Sequence, residues 1–277
     1  MTVALSLVAA ALYGLSDFVG GVLSRRTSVW PVGLLACVGA LLGSITIALF
    51  SDGDPTAGQV GWALVAGTGS GVGTAFLYRG LAGGRMGVVA PVSGVGAVLV
   101  PLVVGIATGE RPDLLAWFGI VLALPGIWFV SREPAEGHPA GGPSGLLDGI
   151  LAGLGFGVLF AALGQVPDTA GYWPLVGTQV VSVLSLTAVA LILGGDPVPR
   201  RRADLGGLVA GVLASLAVLC FLVATSHGLL SVAAVITSLY PAFTVLLAMA
   251  VLRERVHAAQ ALGLGLCAAS VVFVSVS

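Results

Sequence analysis

Two ionisable side chains fall inside long apolar runs, Asp17 and Arg79. A charge held in a bilayer costs about 2.5–3.5 kcal/mol on insertion scales, so such a residue is a functional candidate by default. Asp17 lies about six residues before the end of its run and Arg79 about four before the end of its own, roughly 6–9 Å below one face at 1.5 Å per residue. The two runs point the same way. Their side chains can therefore meet as a pair facing a cavity, which lowers the cost of burying either. Such a pair suits a solute with both a charged and an apolar part. Tyr13 precedes Asp17 by one helical turn and shares its face, whereas Tyr78 adjoins Arg79 but points elsewhere. A carboxylate within a span also makes proton coupling available. The competing reading is structural: Arg79 snorkels to the interface, and Asp17 ties its helix to a neighbour.

Tyr240 lies deep in another apolar run, next to Thr237 and Ser238. The expected substrate-binding set is Asp17, Arg79, Tyr13, Tyr78, Tyr240 and Thr237. Pro101 and Pro241 are candidate hinges, because a proline removes one backbone hydrogen bond and kinks its helix. Glu110-Arg111 and Glu254-Arg255 stand at run ends, as gates or as solvated turns. His138, His227 and His257 are not spaced with carboxylates for a metal. No nucleophile–base set is evident. The expectation is no enzyme, no metal and no cofactor. Cys37, Cys220 and Cys267 read as small buried apolar residues.

The elements that position these groups follow from composition. Of 277 residues, 57% are hydrophobic and 8% charged, against about 25% charged in soluble domains. Too few charges exist to cover a water-facing surface, and the mean hydropathy of +1.10 agrees. A net charge of −1 leaves no footprint for nucleic acid. Ten runs approach the roughly 20 residues that cross a bilayer as a helix: about 3–23, 31–50, 60–82, 86–107, 113–131, 146–166, 172–194, 205–227, 230–252 and 257–276. The predicted fold class is all-α integral membrane, with lipid as one partner. The glycine pairs Gly67/Gly71, Gly69/Gly73 and Gly153/Gly157 read as close helix packing.

The Pro/Gly-rich stretch 132–145 divides residues 1–131 from 146–277, five spans each. A shift of 144 aligns the halves: Leu64-Val65-Ala66-Gly67 meets Leu208-Val209-Ala210-Gly211, Glu110-Arg111 meets Glu254-Arg255, and Phe129-Val130-Ser131 meets Phe273-Val274-Ser275. An odd number of spans inserts the second copy upside down, giving inverted repeats with the site near the midplane. The positions matching Asp17 and Arg79 are apolar, Phe160 (at a shift of 143 there) and Val223, so the site should be asymmetric.

At these residues the chain resembles the drug/metabolite transporter superfamily, specifically its EamA-type ten-helix carriers. The opening Ala11-Leu-Tyr-Gly-Leu-Ser-Asp, the segment Tyr240-Pro-Ala-Phe-Thr followed by Arg253-Glu-Arg, and Gly109-Glu-Arg-Pro carry the likeness. The first half has Ala97 where the second has Pro241. The resemblance implies a secondary transporter of a small organic solute, such as an amino acid, metabolite or drug, multi-pass in the cell membrane and working by alternating access, with export as the expected direction. A channel and an intramembrane enzyme are the alternatives. Oligomeric state, monomer or homodimer, stays open. The resemblance implies cytoplasmic termini. Charge implies the reverse: Arg25, Arg26, Arg85, Arg132, Arg200, Arg201, Arg202, Arg253 and Arg255 share one face, against Arg111 on the other, and cytoplasmic loops carry the arginine excess.

Overall fold

Long stretches of Leu, Ala, Val and Gly offer the backbone no side-chain partners, and lipid offers none either. Such segments satisfy their N–H and C=O groups as helices. The computed structural model describes all residues except 83–85, 131–144, 253–256 and 277. Among the described residues every regular element is helical: α1 (Thr2–Arg26), α2 (Val29–Ala48), α3 (Ala57–Ala82), α4 (Met86–Ala107), α5 (Leu114–Val130), α6 (Leu146–Leu163), α7 (Trp173–Ile192), α8 (Gly206–Thr225), α9 (Leu230–Thr237), α10 (Tyr240–Leu252) and α11 (Ala258–Val276). Among the described residues seven segments of 18 residues or more are long and apolar enough to cross a membrane, and three further apolar helices are shorter. They coincide with the ten runs read from sequence. The ninth run is the exception in shape, because it forms two helices, α9 and α10, broken at Ser238-Leu239. Nearly all of the expected linker lies outside the described residues.

Helix starts are written locally. Thr56 and Gln59 cap α3 reciprocally, with Thr56 N–H donating to Gln59 Oε1 at 2.8 Å. Asp113 accepts the Ala116 N–H at 2.8 Å to start α5. Its counterpart at a shift of 144 is His257, whose N–H donates to Gln260 Oε1 at 3.1 Å as α11 begins. Loops that ten alternating crossings would put on one face do meet there. Thr2 packs on Gly228, and the Asp52-Gly53 backbone on Gly171, at one face. Arg79 binds Asp148 at the other.

The packing has an internal symmetry. The close pairs α1·α8 and α2·α8 have as counterparts α3·α6 and α3·α7. The contact of α1 with α9 and α10 corresponds to α4·α6, while α2·α7, α5·α11 and α4·α9 map onto themselves when the halves are exchanged. Glycines permit the closest approaches. Gly67 and Gly71 of α3 face the carbonyls of Thr178 and Ser182 on α7, and Gly207 and Gly211 of α8 face those of Val32 and Ala36 on α2. Gly69/Gly73 and Gly153/Gly157 likewise lie against neighbouring helices, which is the packing role expected of them. A Cβ at Gly211 would collide with the Ala36 carbonyl and fall 2.6 Å from the Ala40 nitrogen, whereas Gly265 has nothing within 4 Å. Gly211→Val should therefore destabilise the protein by about 1–3 kcal/mol, as overpacking does, and Gly265→Val should not. Thermal unfolding of the detergent-solubilised variants measures this; equal melting temperatures would contradict it.

Candidate solute cavity

A cavity opens where α1, α2 and α3 of the first half face α6, α7 and α8 of the second, with Tyr240 of α10 at its edge. About 70 Å³ of it is open to water-sized molecules, room for several waters. Among the described residues Asp17 is the charged group that lines it. Asp17 has neither an ion-pair nor a hydrogen-bond partner among the described residues. Tyr13, Tyr78 and Tyr240 line the same space and lie within electrostatic reach of its carboxylate.

Local sequence explains each placement. Gly20 and Gly33 carry no side chain, so the Tyr78 ring enters between α1 and α2, its hydroxyl resting over Gly20 and its Cδ2 3.4 Å from where a Gly33 Cβ would stand. Gly14 lets the first turn of α10 lie against α1, and the Thr244 hydroxyl donates to the Gly14 carbonyl at 3.2 Å. That clasp brings Tyr240 to Tyr13, with ring centroids 6.3 Å apart. Tyr13 meets Phe160 edge-on at 5.9 Å, and its buried hydroxyl has no hydrogen-bond partner among the described residues.

The expected Asp17–Arg79 pair does not form. Helix α1 runs on to Arg26, which puts Asp17 nine residues, or about 13–14 Å, from the helix end, whereas Arg79 is three residues, or about 4–5 Å, from the end of α3. The depths differ by too much for contact. Arg79 binds Asp148 in the first turn of α6 instead, its Nε 3.0 Å from Oδ1, and its guanidinium lies 4.7 Å from the Phe76 ring centroid. Asp148 at a helix N-terminus and Arg79 in a last turn also suit both helix dipoles. This pair joins the halves outside the cavity. At 32% and 17% side-chain exposure it is partly desolvated, so Arg79→Gln should destabilise the fold by about 1–3 kcal/mol, the range for removing one partner of a partly buried charged bond. Arg79→Gln with Asp148→Asn should recover part of that in the same melting assay. A melting temperature unmoved by Arg79→Gln would make the pair ornamental.

The other expected residues separate. Thr237 is buried beside the α9–α10 break, its hydroxyl without a hydrogen-bond partner among the described residues, and is not among the residues that line the cavity. Pro241 is the second residue of α10, where a missing N–H costs nothing, so the break and the proline coincide. Pro101 lies within α4, which continues unbroken to Ala107; the two hinges are not matched. Glu110 is no solvated turn. Gly109 adopts φ +103° and Gly105 leaves bare backbone under the Glu110 carboxylate, which accepts the N–H groups of Leu230 and, at 3.0 Å, Ser231. Glu110 of the first half thereby caps α9 of the second. Glu254 lies outside the described residues.

Sequence reasoning missed part of the polar lining. Gln179 and Ser182 of α7 line the cavity with Ser70 and Thr74 of the adjoining α3, and the Ser182 Oγ is 3.1 Å from Ser70 Oγ and 3.4 Å from Cys37 Sγ. A glutamine in the middle of an apolar run was the available signal. The predicted asymmetry holds for α6, which contributes Phe156, Leu159 and Phe160, and for α8, with Ala214 and Val218; α7 makes that half partly polar.

A crystal structure described only as that of a protein is 18% identical over 99% of this chain and 96% of its own, with a TM-score of 0.71; at that identity it shows a shared fold. No curated protein matches the chain. The model of the EamA-like transporter family matches it twice, over residues 1–132 and 143–276, nearly its whole length. With seven candidate spans and three shorter apolar helices among the described residues, and with both matched segments, the chain is a multi-pass membrane transporter of small solutes and belongs to the EamA-like transporter family.

Proposed function

We propose that the protein is a secondary carrier of the cell membrane that exports a small organic solute by alternating access. Its halves, 1–131 and 146–277 about the 132–145 linker, act as inverted repeats. The exchange symmetry of the helix pairs supports this, as does the odd number of spans in each half. The observation that carries the proposal is the Asp17 cavity, built from the same three spans of both halves. A site at such a junction is exposed to alternate faces when one half rocks against the other. One chain encloses the cavity, so the monomer is the transport unit.

Asp17 is the proton carrier as well as the solute contact in this scheme. The titratable groups around it are Tyr13 of its own helix, Tyr78 of α3, Tyr240 of α10 and Cys37 of α2. Saturable counterflow in proteoliposomes tests the carrier. Flux that rises without saturation, with measurable conductance, would instead make the protein a channel. The positive-inside argument puts both termini outside. Labelling of an engineered C-terminal thiol by a membrane-impermeant reagent in intact cells checks it, and protection of that thiol would reverse the orientation.

The Glu110 contact is the closure on the face that holds the N-terminus. It joins the α4–α5 turn of one half to the first amides of α9 in the other, beside the packing of Thr2 on Gly228. Opening that face must part the halves there.

A further inference from the structure

We infer that the solute of the Asp17 cavity is a monovalent organic cation, an amine or quaternary ammonium group carried on a compact apolar body. The inference rests on the cavity being the solute site. Its ground is charge balance. Asp17 lines the cavity without a partner, and no arginine, lysine or histidine among the described residues lines it. Arg79, the basic residue expected to balance it, is held by Asp148 outside the cavity. A carboxylate withdrawn from water requires a counter-charge or a proton, and the described residues supply no counter-charge in the cavity. An anionic solute would meet the carboxylate with no cation to receive it. A neutral solute would require Asp17 to keep its proton and would draw nothing from the carboxylate's charge. A cation supplies the missing counter-charge and exchanges for the proton that Asp17 carries.

The rest of the lining fits the same class. Tyr13, Tyr78, Tyr240, Phe156 and Phe160 border the space, and aromatic faces attract ammonium groups within about 6 Å. The polar groups of α3 and α7, including Gln179, Ser70 and Ser182, lie among the other cavity-lining residues. They can fix the orientation of a solute by hydrogen bonds without adding charge. The narrow interior selects a compact body.

The test uses purified full-length protein and three probes of similar shape: benzyltrimethylammonium, hydrocinnamate and hydrocinnamyl alcohol. Calorimetric titration compares the wild type with Asp17→Asn, Asp17→Glu and Ala214→Phe, the last filling the cavity from α8. Monodisperse elution and unchanged circular dichroism check each fold, and Asp17→Glu keeps the charge should Asp17→Asn fail to fold. The expected result is ammonium binding about tenfold or more tighter than that of either other probe, weakened by about that factor in Asp17→Asn and largely kept in Asp17→Glu. No ammonium binding to the wild type, or equal or tighter binding of the carboxylate or the alcohol, overturns the inference. Ammonium binding blocked by Ala214→Phe but untouched by Asp17→Asn overturns the charge argument and leaves the cavity as the site. Binding untouched by both substitutions places the site elsewhere, and then the proposed function fails first.

Discussion

Asp17→Asn should abolish solute transport in proteoliposomes while the protein folds normally and melts no lower than the wild type. The two halves of this expectation come from one fact. Asp17 lines the cavity with no ion-pair or hydrogen-bond partner among the described residues, so its charge contributes little to holding helices together. Placing an uncompensated charge there works against the fold, and the amide removes that penalty while keeping the shape. What the amide loses is the ability to exchange a proton or cation, which the proposed cycle needs at each turn. Stability gained where function is lost is the usual signature of a site residue. Transport is read as saturable counterflow, and stability as the unfolding midpoint in detergent. Full transport in Asp17→Asn would remove the residue from the mechanism. A lower melting point with transport retained would make Asp17 a structural tie for α1.

The architecture was legible because it depends on chain-wide quantities. Span count, the shift of 144 and the Glu-Arg ends are properties of composition and spacing, and each survives small errors in helix boundaries. The Asp17–Arg79 pair was lost to such an error: α1 ends at Arg26 rather than near residue 23, and three residues change the depth by about 4–5 Å. Asp148 is a first-turn acid of α6, and only the packing of α3 on α6 makes it the partner of Arg79. Gln179 and Ser182 were hidden for a different reason. Which face of α7 looks inward is set by Gly67 and Gly71 on α3, a contact across more than a hundred residues of sequence. Pro241 follows the break between α9 and α10, whereas α4 runs on through Pro101, because a proline announces a missing N–H but not whether its neighbours hold the helix together.

Glu110→Ala should raise the reactivity of Cys37 toward a thiol reagent supplied from the face that holds the N-terminus. Cys37 lines the cavity and is 4% exposed, so it reports when the space opens; Cys220 and Cys267 are first replaced by serine. The substitution removes a carboxylate from two amides at the start of α9. Loss of a helix cap costs about 0.5–2 kcal/mol, and loss of a negative charge at a helix N-terminus about 0.3–1 kcal/mol. Both terms act on the arrangement in which α9 touches the α4–α5 turn, so they shift the balance toward the state open on that face. A difference near 1.4 kcal/mol is a tenfold change in population, and the labelling rate should rise by about that factor. Glu110→Gln keeps an acceptor oxygen but not the charge, and should fall between. Glu110→Asp shortens the reach by one methylene across a gap that Gly105 and Gly109 tailor to glutamate, and should resemble the alanine variant. The readout separates a gate from a cap. A cap alone lowers the melting temperature and leaves the Cys37 rate unchanged; a gate changes the rate from this face and lowers it for reagent supplied from the other, because a carrier opens one side at the expense of its opposite.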